Sequence, residues 1–138
     1  MIVTDPVKFI ISPSRFPEID AIRERTLHEL IDRLLELEGD NLIRVVLFGS
    51  VARGDGREDS DTDVFILLRD TRGDSIEHVI DRIIDITVNI DISTGECCTH
   101  LTPIVYDQEA LYDVNRLWGF LKNVDKDGVV LYDSTNCQ

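Results

Sequence analysis

The sequence predicts an α+β domain, helices and strands mixed, on three observations. Apolar residues between Pro17 and Gly39 recur at helical spacing over a long stretch. Two short apolar runs, Ile43–Phe48 and Asp63–Leu68, are bounded by turn residues and read as buried strands. Helix-like and strand-like segments then go on alternating to the end of the 138 residues, without a linker, an internal repeat or a low-complexity stretch. That length suits one domain, so residues 1–138 are expected to share a single core.

Taken in order, Pro6, Pro13 and Pro17 forbid a long helix at the start, and Val7, Phe9 and Ile11 alternate, so residues 1–17 are expected as an extended arm. Pro17 suits the first turn of a helix, where Glu18 and Asp20 meet the positive end of the dipole. Ile19, Ile22, Thr26, Leu27, Leu30, Ile31, Leu34 and Leu37 form its apolar face. Arg23, Arg25, Glu29, Asp32, Arg33 and Glu36 fill the other face, and Gly39 stops it. The Ile43–Phe48 strand breaks at Gly49-Ser50, a helical turn fits Val51–Arg53, and 54–60 is a polar loop before the next strand. Ile76, Val79, Ile80, Ile83, Ile84, Thr87 and Ile90 hold one helical face. Ile86, Val88, Ile90 and Ile92 also alternate as a strand would, so two boundaries stay open there. Leu101–Tyr106 reads as a strand that Pro103 pushes toward an edge, Asp107 caps a short helix, and Val129–Tyr132 closes the fold as a strand.

Charge narrows the partners. The 14 basic and 27 acidic side chains give a net charge of −13, and no basic run exists to displace counterions from nucleic acid. No apolar run reaches the ~18 residues of a membrane span, and Met1–Pro6 has none of the marks of a signal peptide, so a cytoplasmic location is expected. Cys97, Cys98 and Cys137 are odd in number and lack Cys-x-x-Cys spacing, which argues against disulfides and structural zinc. His28 and His78 read as surface residues on helices.

The chemistry lies in residues 42–68. A strand ends at Phe48, and Gly49 lets the backbone turn close to a ligand. The N–H groups that follow, at the start of a helical turn, form a concave donor array suited to phosphate, and Ser50 adds a hydroxyl. Asp61 and Asp63 stand two apart at the head of the second strand, sharing a face at a backbone separation of roughly 6–7 Å. Two carboxylates this close repel unless a divalent cation lies between them. Magnesium needs few protein ligands, because water and substrate phosphate oxygens supply the rest. Either half alone is commonplace. The two joined, with ten residues between, are not expected by chance in a short chain.

The string Phe48-Gly49-Ser50-Val51-Ala52-Arg53-Gly54, followed by Ser60-Asp61-Thr62-Asp63, resembles the minimal nucleotidyltransferases of the DNA polymerase β-like superfamily. Their signature is Gly-Ser, ten residues, Asp-x-Asp. A looser likeness extends to Phe120–Val124 and Gly128–Tyr132. The resemblance implies a small mixed β-sheet with helices mainly on one face, and transfer of a nucleoside monophosphate, usually AMP from ATP, with release of pyrophosphate. It assigns Gly49, Ser50 and Arg53 to the triphosphate and makes Asp61 and Asp63 the catalytic, metal-binding pair for Mg2+ or Mn2+. It further implies a hydroxyl acceptor on a small molecule or on a partner such as a small helical toxin. The superfamily usually adds a third carboxylate on a later strand, which activates the acceptor. With a strand at Thr99–Tyr106 that position is His100; with a strand at Ile86–Ile92 it is Asp91. The choice separates an enzyme from a nucleotide-binding module of the same fold.

Overall fold

The computed structural model describes residues 15–93, 100–111, 122, 124 and 126–134. Most of the arm expected at 1–17, the three cysteines, and most of the 120–124 ending lie outside these residues. Helix α1 runs Pro17–Glu38, opened by Pro17 with Glu18 and Asp20 in its first turn. It closes at Gly39, whose φ of +54° is left-handed and whose N–H returns to the Leu35 carbonyl. Strand β1 is Leu42–Phe48, α2 is Gly49–Arg53, β2 is Thr62–Leu68, α3 is Ile76–Ser93, β3 is Leu101–Asp107, α4 is Gln108–Leu111 and β4 is Val129–Asp133.

The described strands form one four-stranded sheet in the order β3-β2-β1-β4. β1 pairs antiparallel with β2 and with β4, while β2 and β3 run parallel. A parallel pair cannot be joined by a hairpin, and α3 supplies the crossover. This is the mixed sheet implied by the resemblance. Pro103 sits on edge strand β3, where a missing ladder donor does least harm. Asp107 caps α4, its Oδ1 accepting the Ala110 N–H at 2.8 Å.

Two apolar layers flank the sheet. On one face Leu27, Leu30, Ile31 and Leu34 of α1 and Val79, Ile83 and Ile90 of α3 pack on Val45, Leu47, Val64, Ile66 and Leu68. The other face is a smaller cluster of Ile43, Val46, Phe65, Leu67 and Val124, with Phe48, Ile104 and Tyr106 against it. Among the described residues both long helices therefore cover one face. Among the described residues no helix is long and apolar enough to cross a membrane.

One open boundary is decided and one expectation is corrected. Residues 86–92 are helical, since α3 continues unbroken to Ser93, so of the two alternatives the strand through Asp91 falls away. The period-2 pattern there arises because Ile86 and Ile90 lie on or near the buried face, while Val88 and Ile92 are exposed. Arg23, expected among the solvated residues of α1, is only 1% exposed. The inward seam is Arg23, Thr26, Leu27, Leu30, Ile31 and Leu34, and Ile22 stands beside it.

Candidate active site

The β1–β2 register builds the site. Phe48 lies opposite Asp63, so where β1 ends and turns into α2, the turn lands beside the first residues of β2. Gly49 takes φ +81°, a left-handed conformation that side chains rarely adopt, and a Cβ placed on it would strike Asp63 Oδ2. The glycine thus serves a contact that sequence reasoning had not identified: it makes room for the Asp63 carboxylate. α2 is anchored by Val51 and Ala52, both buried, and ended by Gly54 at φ +88°, whose N–H bonds the Ser50 and Val51 carbonyls.

Asp63 faces away from the long helices, since Phe65 and Leu67, two and four residues along β2, belong to the smaller cluster. Burial, first, and then the negative charge of Asp61 push its carboxyl above the ordinary range, with Arg53 pulling partly the other way. Asp61 itself is exposed and lies one residue before β2 begins, so the ladder does not hold it. Among the described residues neither carboxylate accepts a hydrogen bond or forms an ion pair. Two repelling, unsatisfied oxygen donors at a solvent boundary fit a hard divalent cation. No group of three potential metal ligands exists among the described residues, so a cation here would draw only these two from the described protein.

Arg53 projects from the end of α2, pairs with Asp55 at 3.3 Å and with Asp127 at 3.2 Å, and is about half exposed. Those two carboxylates, Asp127 first, hold its pKa above the ordinary arginine value. Asp127 stands just before β4 and so ties the end of α2 to the strand on the far side of β1; it carries no local signal in the sequence.

The third position is resolved by the parallel β2–β3 register, in which Thr62 lies opposite Leu101 and Asp63 opposite Thr102. His100 is therefore level with Asp61; its carbonyl accepts the Thr62 N–H at 3.0 Å, and its own φ is +35°. Asp91 belongs to α3 and accepts the Leu101 N–H at 3.2 Å. It caps the start of β3, and neither it nor His100 joins the Asp61–Asp63 pair in a metal-holding group. The residue beside Asp63 in the ladder is a threonine.

Sequence reasoning also missed Arg23. It comes from α1, far from the signature in the chain, and its guanidinium reaches the turn that precedes Asp61. An arginine inside an apolar seam was the available signal.

Residues 27–133 match the model of the nucleotidyltransferase domain family. A Methanocaldococcus jannaschii protein with the provisional name protein adenylyltransferase is 29% identical over 109 residues, covering 79% of this chain and 97% of that protein. Two solved structures share the fold. A provisionally named nucleotidyltransferase from Sulfolobus solfataricus, 21% identical, superposes with a TM-score of 0.50 over 86% of this chain and 89% of its own. A toxin-antitoxin structure with AMP-PNP, 20% identical, gives 0.51 over 77% of this chain and 73% of its own.

Proposed function

Because the chain belongs to the nucleotidyltransferase domain family and is by that membership a nucleotidyltransferase, we propose that it transfers AMP from ATP to a hydroxyl group of a protein partner. The observation that carries this reading is the Phe48–Asp63 pairing, which sets the glycine-serine turn directly against the Asp63 carboxylate. Asp61 and Asp63 would hold magnesium, or manganese in its place. A divalent ion there supplies charge neutralisation on the triphosphate. Gly49 lets the backbone donors of α2 approach the phosphates, the Ser50 hydroxyl adds a donor, and Arg53 adds a positive charge steered by Asp55 and Asp127. The acceptor oxygen attacks the α-phosphorus, the α–β bridge breaks, pyrophosphate leaves and the hydroxyl proton passes to solvent.

A protein acceptor is favoured by the protein adenylyltransferase name of the M. jannaschii relative. A small helical, toxin-like protein is the first acceptor to test, since a neighbour of this fold was solved as a toxin-antitoxin with AMP-PNP. Incubation with ATP labelled in its α-phosphate, magnesium and the products of adjacent genes should leave label on one protein. It should leave none when Asp61→Asn replaces the wild type.

A second reading, a slow or inactive nucleotide-binding module that neutralises a partner, draws on one observation: no third carboxylate joins Asp61 and Asp63 among the described residues. Without it the acceptor hydroxyl lacks a general base from that position. Magnesium-supported ATP binding with no label transferred to any protein would favour the module.

A further inference from the structure

We propose that Arg23 is a positioning residue for the metal pair: from inside the core it holds the turn on which Asp61 stands, and so sets the spacing of Asp61 from Asp63. The proposal rests on the reading of Asp61 and Asp63 as metal ligands.

Asp61 is the weakly supported member of the pair. It precedes β2, is exposed, and has no ladder position of its own. Its two chain neighbours are held instead. The Arg23 Nη2 donates to the carbonyls of Ser60 at 2.9 Å, Arg57 at 2.8 Å and Glu58 at 3.3 Å. Arg23 Nε donates to Thr62 Oγ1 at 3.2 Å. One guanidinium therefore grips the residue before Asp61 and the residue after it. The turn is closed on itself as well, by the Ser60 N–H on the Arg57 carbonyl at 3.1 Å and the Arg57 N–H on Ser60 Oγ at 2.7 Å. Thr62, wholly buried, is tied to β3 through the His100 carbonyl.

Placing a guanidinium in the core is costly, and burial lowers its pKa even though Asp20, 3.6 Å from Nη1, opposes that shift. A purely structural plug would be made more cheaply by an apolar side chain. What an apolar residue cannot do is collect converging carbonyls and a hydroxyl at fixed angles, which is the property of arginine's rigid fork. The stiffened turn then presents Asp61 at a set distance from a residue that the ladder already fixes. Lysine would keep the charge beside Asp20 and lose the fork.

The test measures Mn2+ binding by titration, with thermal unfolding and site-resolved amide exchange on the same proteins. Arg23→Lys should stay folded, bind Mn2+ about 10–100-fold more weakly per folded molecule, as loss of an outer-shell partner typically does, and speed exchange at the Ser60 and Thr62 amides. In an Asp61→Asn background the same substitution should change Mn2+ affinity no further, because it acts through Asp61. Should Arg23→Lys fail to fold, Thr62→Val removes one of the four bonds while leaving the buried guanidinium in place, and should weaken Mn2+ binding in the same direction. Unchanged Mn2+ affinity in a folded Arg23→Lys, or a loss that simply adds to that of Asp61→Asn, overturns the proposal. If Asp61→Asn binds Mn2+ as tightly as wild type, the metal reading of the pair fails by itself. Amide exchange then decides for Arg23: faster exchange in Arg23→Lys upholds its grip on the turn, and unchanged exchange removes it.

Discussion

Gly49→Ala separates backbone strain at the Gly49-Ser50 turn from the proposed role of that turn in placing the Asp63 carboxylate. The alanine would have to hold φ +81°, and a side chain in left-handed backbone costs roughly 1–2 kcal/mol. In a chain of this size that corresponds to a fall in Tm of roughly 3–10 °C. The added methyl also meets Asp63 Oδ2. That oxygen is the end of a side chain, so the clash is relieved by rotation of the carboxylate at little cost to the fold. The rotation carries the oxygen away from where it would bind metal. Mn2+ affinity per folded molecule should therefore drop by at least about tenfold, in line with other losses of ligand placement. Gly73→Ala is the internal control: its φ of +82° imposes the same backbone strain, and its Cβ meets nothing within 4 Å. Both variants should lose similar stability, and only Gly49→Ala should lose metal, as read by thermal unfolding and Mn2+ titration side by side. Wild-type Mn2+ affinity in folded Gly49→Ala would refute the reasoning and leave Gly49 as a turn residue alone.

Asp63 carries a pH signature. Its carboxyl is raised above 3.8 by burial and by Asp61, so the folded protein holds that proton more tightly than the unfolded chain. The stability tied to it is fully present below about 3.8 and is lost as pH rises through the raised folded value. Without metal, Asp63→Asn should escape that loss and unfold at higher denaturant than wild type at neutral pH. The gain should be on the order of 1 kcal/mol, chiefly from no longer holding a half-buried charge and secondly from relieving the repulsion with Asp61; added Mg2+ should stabilise wild type and leave the variant unmoved. Asp91→Asn should lower Tm by weakening the cap on the Leu101 N–H, while the rate of nucleotidyl transfer per folded molecule holds. A fall in that rate of ~10²–10⁴-fold, the loss expected of a general base, would return Asp91 to the catalytic set.

The amino-acid order alone carried the outline of the fold and the segment on which the candidate site stands, because both are local. Helical spacing from Pro17 to Gly39, the apolar runs of β1 and β2, and the caps at Asp107 and Gly39 are read within a few residues of chain. The Gly49-Ser50 turn and Asp63 sit on adjoining elements of the signature that carried the family resemblance, and the β1–β2 register sets them side by side. Periodicity failed where two periods coexist. Residues 86–92 satisfy a strand and a helix equally well, and packing of Val79, Ile83, Thr87 and Ile90 under α3 chose the helix. With that choice Asp91 became a cap and His100 came level with Asp61, a matter of register between β2 and β3 that no local pattern encodes. Arg23 and Asp127 are the clearest cases of what tertiary structure alone decided. A lone arginine or aspartate has no preferred partner in sequence, and each acquires its role only when chain 34 or 74 residues away is folded against it. Burial then turns the solvated charge expected of Arg23 into a fixed donor for the turn beneath Asp61.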